Sequence, residues 1–424
     1  MLNRTVAPSI VDAVNFNLQL QPYQKYTLKN GVDVYAVNAG AEDVLQIEWY
    51  FEAGNWYDGK NLEAALTNFL LKNGTTSKTA FDINEHFEYY GAYLNRNCGA
   101  EFANVTLHTL SKHLEAVLPV VREIFSEAAM LQTEMDISVQ NMKQKLEVNL
   151  KKSSFVAGRL IDSYLFGEKH PYGQFSRYED FDALTREDLI NFYEQYYKRG
   201  AFKIFVAGKL PANLFALLEK YFGDFDNQKP EPKLHAVHPH LHKKHRLIND
   251  EKSSQGSIRM VRPFVNRKHP DFLSAQVLNI LFGGFFGSRL MANIREDKGY
   301  TYGIHSYLMG NRHENGWMIT TEAGRDVSEA TISEVYKEMA LLREEPIDEE
   351  ELMLVKNFMM GSILNDLDGP FQIIARWKNI ILNELEEDFF EKYISNIKNI
   401  SAATLQETAT KYLVEDDFYE LVVV

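Results

Sequence analysis

Arg295 and Tyr302 stand seven residues apart in a run that reads Gly283-Gly284-Phe285-Phe286-Gly287-Ser288-Arg289-Leu290 and continues through Ile294-Arg295-Glu296-Asp297-Lys298-Gly299 to Tyr300-Thr301-Tyr302-Gly303. A guanidinium fork binds a peptide carbonyl or a carboxylate through two parallel hydrogen bonds. A phenol hydroxyl can donate to the oxyanion that forms when an amide is hydrolysed. The two side-chain types together suit handling of a peptide bond. The plainer alternative for the same residues is a surface ion pair between Arg295 and its Glu296 or Asp297 neighbours, with both tyrosines packed in a core.

Local sequence decides whether the two side chains can meet. From Leu290 the pattern is helical to Lys298, and Gly299 falls where a left-handed C-terminal cap is expected. Tyr300 to Ser306 then reads as a strand, with Tyr300 and Tyr302 on one face and Thr301 on the other. Arg295, one helical turn before the cap, can point at the same space. Gly283 and Gly284 allow a close backbone approach or a hinge.

The segments Gly-Gly-x-x-x-Ser-Arg-Leu and Arg-Glu-x-x-Gly-x-x-Tyr resemble the C-terminal-half signature of the pitrilysin/insulinase-type zinc metallopeptidases. The resemblance extends over nearly the whole chain, from Tyr26-Thr27-Leu28-Lys29-Asn30-Gly31 to the terminal strand. It implies two homologous α+β domains of the mitochondrial processing peptidase-like type, arranged as a clamshell around a peptide. It also implies that Arg295 and Tyr302 reach the substrate, the spacing of seven selecting Tyr302 over Tyr300.

That family carries an H-x-x-E-H helix followed shortly by Gly-Thr. Two histidines four apart lie on one face and ligate zinc, and the Glu activates the metal-bound water. Here the run before Gly74-Thr75 is Ala65-Leu66-Thr67-Asn68-Phe69. Ala65 and Phe69 take the histidine positions and Asn68 that of the base. Ala and Phe carry no ligand atom, and an amide has no useful basicity. Glu147, 78 residues beyond Phe69, falls where the resemblance implies the remaining zinc ligand, and it also reads as an exposed residue among Lys143, Lys145 and Lys151.

The expectation is therefore a subunit without metal or cofactor of its own and inactive alone. It would complement a homologous partner that carries H-x-x-E-H and the zinc, acting on a peptide substrate. The alternative is a peptide-binding or assembly scaffold without turnover.

Composition narrows the partners. The 424 residues are 45% hydrophobic, with 59 acidic against 45 basic side chains and a formal charge of −14, which disfavours nucleic acid and anionic lipid and hints at basic peptides. A single cysteine, Cys98, makes no intrachain disulfide, and no run of about 18 apolar residues occurs. A cytoplasmic protein is expected, or a periplasmic one if a signal peptide has been removed, with no membrane association.

A repeat at an offset of 216 residues supports duplication. Leu189, Tyr196, Phe202 and Val206 fall on Leu405, Tyr412, Phe418 and Val422, and Glu134, Val139 and Asn141 fall on Glu350, Val355 and Asn357. The expected domains are 1–228 and 248–424. The linker 229–247 between them, with His235, His238, His240, His242 and His245, reads as a solvated tether. In the first unit, Leu45 to Phe51 and Val105 to Thr109 alternate as half-buried strands. Helical spacing covers about 62–72, 84–93, 114–128 and 134–150, and Thr185-Arg186-Glu187-Asp188 resembles a capping box.

Overall fold

The protein, seen in a computed structural model, is described over residues 11–424. Its class is α+β, and the chain divides into two compact units. The N-terminal unit comprises Gln21–Lys252 together with Gly369–Asn379 and Val423–Val424. The C-terminal unit comprises 11–20, Ser253–Asp368 and Ile380–Val422.

The N-terminal unit is built on strands β1 (Gln24–Thr27), β2 (Asp33–Asn38), β3 (Val44–Phe51), β4 (Tyr93–Cys98), β5 (Ala103–Leu110) and β6 (Phe202–Gly208), in the order β1-β2-β6-β3-β5-β4. Gly31, at φ +83°, turns β1 into β2 as the Asn30-Gly31 pair predicts. Leu45, Ile47, Trp49 and Phe51 on β3 are wholly buried. Trp49 meets Phe125 and Phe222 at 5.6 and 5.2 Å, while Phe51 lies 4.9 Å from Tyr197. Each such side chain contributes about 1.5–3 kcal/mol by leaving water.

Helices α1 (Glu63–Leu70), α2 (Ala80–Tyr89), α3 (Leu114–Glu127), α4 (Gln132–Leu150), α5 (Ser153–Phe166), α6 (Tyr178–Ala183), α7 (Arg186–Tyr193) and α8 (Leu214–Phe222) complete the sequence of elements in this part of the chain. The capping box at α7 forms as expected, with Thr185 accepting from the Asp188 N–H and the Asp188 carboxylate from the Thr185 N–H at 2.8 Å.

The expected half-exposure of β3 is only partly met, because Glu48, on its second face, is buried. A helix from far along the chain meets that face. Lys378 pairs with Glu48 at 2.7 Å and stands 4.9 Å over the Tyr50 ring.

The tether reading also needs correction. His235 donates its Nε2–H to the Trp56 carbonyl oxygen at 2.9 Å with its ring 4.6 Å from the indole, and the N–H groups of His238 and His240 donate to the Phe166 and Tyr164 carbonyls. Aromatic packing and main-chain bonds hold these histidines to the N-terminal unit, and the segment ends in a short strand, β7 (Lys244–Leu247).

The C-terminal unit repeats the plan. Strands β8 (Gln255–Phe264), β9 (Thr301–Leu308), β10 (Asn315–Gly324) and β11 (Tyr419–Val423) run in the order β11-β8-β10-β9, matching β6-β3-β5-β4. Its helices include α9 (Phe272–Asn279), α10 (Ser328–Glu344), α11 (Glu349–Asn365), α13 (Phe389–Asn399) and α14 (Ala402–Tyr412); α12 (Pro370–Leu382), which carries Lys378, lies mostly in the N-terminal unit. The residues matched at offset 216 occupy corresponding elements: Leu189 and Leu405 lie in α7 and α14, Glu134 and Glu350 in α4 and α11. No helix among the described residues is long and apolar enough to cross a membrane.

Candidate functional site

The helix carrying Arg295 begins at Arg289 and widens to a π-helical turn over Met291–Asp297, a departure from the plain helix expected. It is fixed on the side away from Arg295. Arg289 makes a two-pronged bond to Glu351 on α11, 2.8 Å on each arm, and Asn293 donates to Glu338 and Glu334 on α10 at 2.7 and 2.9 Å. Gly283 has no room for a side chain, since a Cβ there would lie 2.7 Å from the Ser306 Cβ and 2.8 Å from Leu290 Cδ1. The Ser-Arg-Leu part of the signature is thus scaffolding. Gly299 takes φ +65°, the left-handed cap predicted, and the Tyr300 N–H closes the turn onto the Ile294 carbonyl at 3.0 Å.

Strand β9 follows, at the end of its sheet. Its pairing with β10 shifts between Thr321 and Ala323, a β-bulge that sets Tyr302 and Gly303 against Glu322 alone. A bulge breaks strict alternation and re-aims a side chain. Thr301 Oγ1 donates to the Glu322 carbonyl at 2.7 Å within the bulge, and Tyr302 points outward with 92% of its surface exposed.

Arg295 and Tyr302 line one cleft of about 600 Å³ with Gln255, Glu296, Tyr300 and Glu322. The core-tyrosine alternative fails for Tyr302 on exposure. The ion-pair alternative fails too: the Arg295 guanidinium stacks 4.5 Å from the centroid of the Phe286 ring, whereas Asp297 pairs with Lys298. Glu322 is occupied by Arg259 and Ser257, at 2.8 and 2.9 Å. Among the described residues no carboxylate is ion-paired with Arg295, so its donors remain available to a ligand.

The run Ala65–Phe69, expected to stand where the family carries its zinc motif, lies on α1. Ala65 is half-buried and Phe69 is exposed, four residues apart on one face. Asn68 is buried and donates to the Tyr197 hydroxyl at 3.1 Å. Glu147 is exposed on α4. Among the described residues no group of three or more His, Cys, Asp or Glu side chains could hold a metal ion. Ala65, Asn68 and Phe69 do not fit a zinc ion.

Sequence reasoning passed over Arg96, which stands 5.0 Å over the Phe69 ring. The signal was present. Leu94, Arg96 and Cys98 share one face of β4 by the period of two, and Leu94 belongs to the core.

Residues 183–359 match the family described as the peptidase M16 inactive domain. The chain is 23% identical over 395 residues to the uncharacterized zinc protease YmxG of Bacillus subtilis, covering 90% of this chain and 95% of that protein. It is 24% identical over 274 residues to the probable mitochondrial-processing peptidase subunit beta of Schizosaccharomyces pombe, covering 61% and 58%. The crystal structure of a peptidase M16 inactive domain from Pseudomonas fluorescens superposes with a TM-score of 0.86 at 22% identity, over 95% of this chain and 98% of that one. The chain is thus similar to proteins of the peptidase M16 family, inactive-type ones among them.

Proposed function

We propose that the chain is the zinc-free subunit of a heterodimeric peptidase, supplying Arg295 and Tyr302 to a homologous partner that carries H-x-x-E-H and binds the zinc. The observation that carries this reading is the outward, unencumbered pair: an exposed tyrosine re-aimed by a bulge and an arginine without a carboxylate partner, in one cleft. A scaffold that only fills space has no use for them. Similarity to a protein named as a processing-peptidase subunit supports a two-chain arrangement.

In the proposed mechanism Arg295 holds a carbonyl or carboxylate of the peptide in its fork. The Tyr302 hydroxyl donates a hydrogen bond to the oxyanion that forms at that carbonyl, and the partner's zinc would supply the activation of water. The chemistry of water activation belongs to the partner.

The test mixes each variant with the H-x-x-E-H partner on a quenched peptide. Tyr302→Phe should lower kcat by about 10²–10³-fold, the loss typical of one oxyanion donor. Arg295→Ala should act mainly on KM, because its contact exists before the transition state. Tyr300→Phe, which lines the same cleft, should cost little. Full activity in both the Arg295 and Tyr302 variants would reject complementation and favour a peptide-binding or assembly scaffold.

A further inference from the structure

Arg96 lies on the face of β4 that also carries the buried Leu94, yet it has no counter-charge. Among the described residues its guanidinium takes part in no hydrogen bond and no ion pair, and its one close partner is the ring of Phe69, 5.0 Å away. Lys72 stands beside it, with its ammonium donating to the Leu94 carbonyl at 3.4 Å. Burial pulls both cations below their usual pKa, and the charge of Arg96 depresses Lys72 further. Glu88 is felt electrostatically by Lys72 and pairs with neither. Two cations held together, partly out of water and without an acid, are costly unless an anion joins them.

The surroundings restrict the anion. β4 is the last strand of its sheet, and Tyr93, 62% exposed, and Phe69, 40% exposed, give flanking apolar surface. A guanidinium held over an aromatic ring keeps its N–H donors for a carboxylate, which can accept them two-pronged.

We propose that Arg96, Lys72 and Phe69 form a binding site for a carboxylate of an extended peptide, at the place where α1 has lost its zinc-binding side chains. The net charge of −14 does not forbid an acidic ligand. At physiological salt, charges beyond about 8 Å are largely screened, so the local pair of cations decides. The carboxylate comes from an Asp or Glu side chain or from a peptide C-terminus. The proposal does not depend on complementation by a partner.

The experiment uses the whole chain without any partner, and fluorescence anisotropy of three fluorescein-labelled octapeptides of Ala, Ser and Gln. One carries a central Glu and a C-terminal amide, one a central Gln and an amide, and one a central Gln and a free C-terminus. A carboxylate-bearing peptide should bind about tenfold tighter than the Gln amide, the worth of one charge-assisted pair. Which one does so identifies the source. Arg96→Gln should erase the difference, and Arg96→Lys should keep part of it. Thermal melting confirms that each variant is folded. Equal affinity for all three peptides, or a preference that survives Arg96→Gln in a folded variant, overturns the proposal.

Discussion

Asn68 donates its side-chain N–H to the hydroxyl of Tyr197 at 3.1 Å, and both groups are buried. The Asn68 amide is therefore part of the core of the N-terminal unit. Tyr197 is wholly enclosed, and burial drives its pKa well above the usual phenol value, so the hydroxyl stays protonated. Tyr197→Phe should leave the Asn68 amide unsatisfied and cost about 1–3 kcal/mol. A urea titration followed by tryptophan fluorescence reads this as a lower midpoint, and an unchanged midpoint would mean that the bond contributes nothing.

Rebuilding the metal site asks more than restoring three residues. Ala65→His and Phe69→His return two ligands to one face of α1, and Asn68→Glu introduces a carboxylate beside Tyr197. Zinc normally needs three protein ligands at a catalytic site. The triple variant should bind zinc by calorimetry, and Glu147→Gln in that background should weaken binding by at least about tenfold. Identical affinity with and without Glu147 would remove it from the ligand set.

The pair Lys378–Glu48 is nearly out of water, with 17% and 6% of the two side chains exposed. Burial opposes the charge on Lys378, yet the Glu48 carboxylate holds its pKa above the usual amine value. Glu48→Gln should cost about 3–5 kcal/mol because it strands a buried cation. Adding Lys378→Met should recover much of that loss. Urea midpoints of the single and double variants test the coupling, and additive losses would contradict it.

Asp58 precedes α1 and accepts the Ala64 N–H at 2.8 Å, while its second carboxylate oxygen is buried without a partner. Burial pushes its pKa from 3.8 up to about 7. A raised folded-state pKa means that the folded chain holds a proton the unfolded chain releases. The stability this provides is complete below pH 3.8 and is lost as pH rises through about 7. Asp58→Asn should flatten the fall in urea midpoint across that window, where one proton contributes at most about 1.4 kcal/mol per pH unit. An equally steep fall in the variant would assign the effect elsewhere.

The periodic parts of this fold were readable before the structure. Leu45 to Phe51 marked β3, Gly299 marked a left-handed cap, and the offset of 216 paired α7 with α14. What escaped was set by distant parts of the chain. Nothing near Glu48 announces that Lys378 will neutralise it, and the bulge that turns Tyr302 outward depends on the register of β10. The expected helix at 84–93 lies instead at Ala80–Tyr89, because Thr79 and Asp82 form a reciprocal cap that sets its start. At the candidate site, residue types and spacing gave Arg295 and Tyr302. Arg96 was missed because a lone arginine in a strand reads as solvated until its face is known.

Because Gly369–Asn379 belongs to the unit that starts at Gln21, the first half of the protein is unfinished when its own sequence has left the ribosome. Glu48 waits for Lys378, and Gln21 for the Trp377 indole that donates to its carbonyl at 2.7 Å. At about 5–20 residues per second that interval is on the order of ten seconds. During it, one face of β3 lacks its cover. A nascent chain in this state is a natural client for a chaperone, and a premature stop before residue 370 should yield a product that is degraded rather than a stable half.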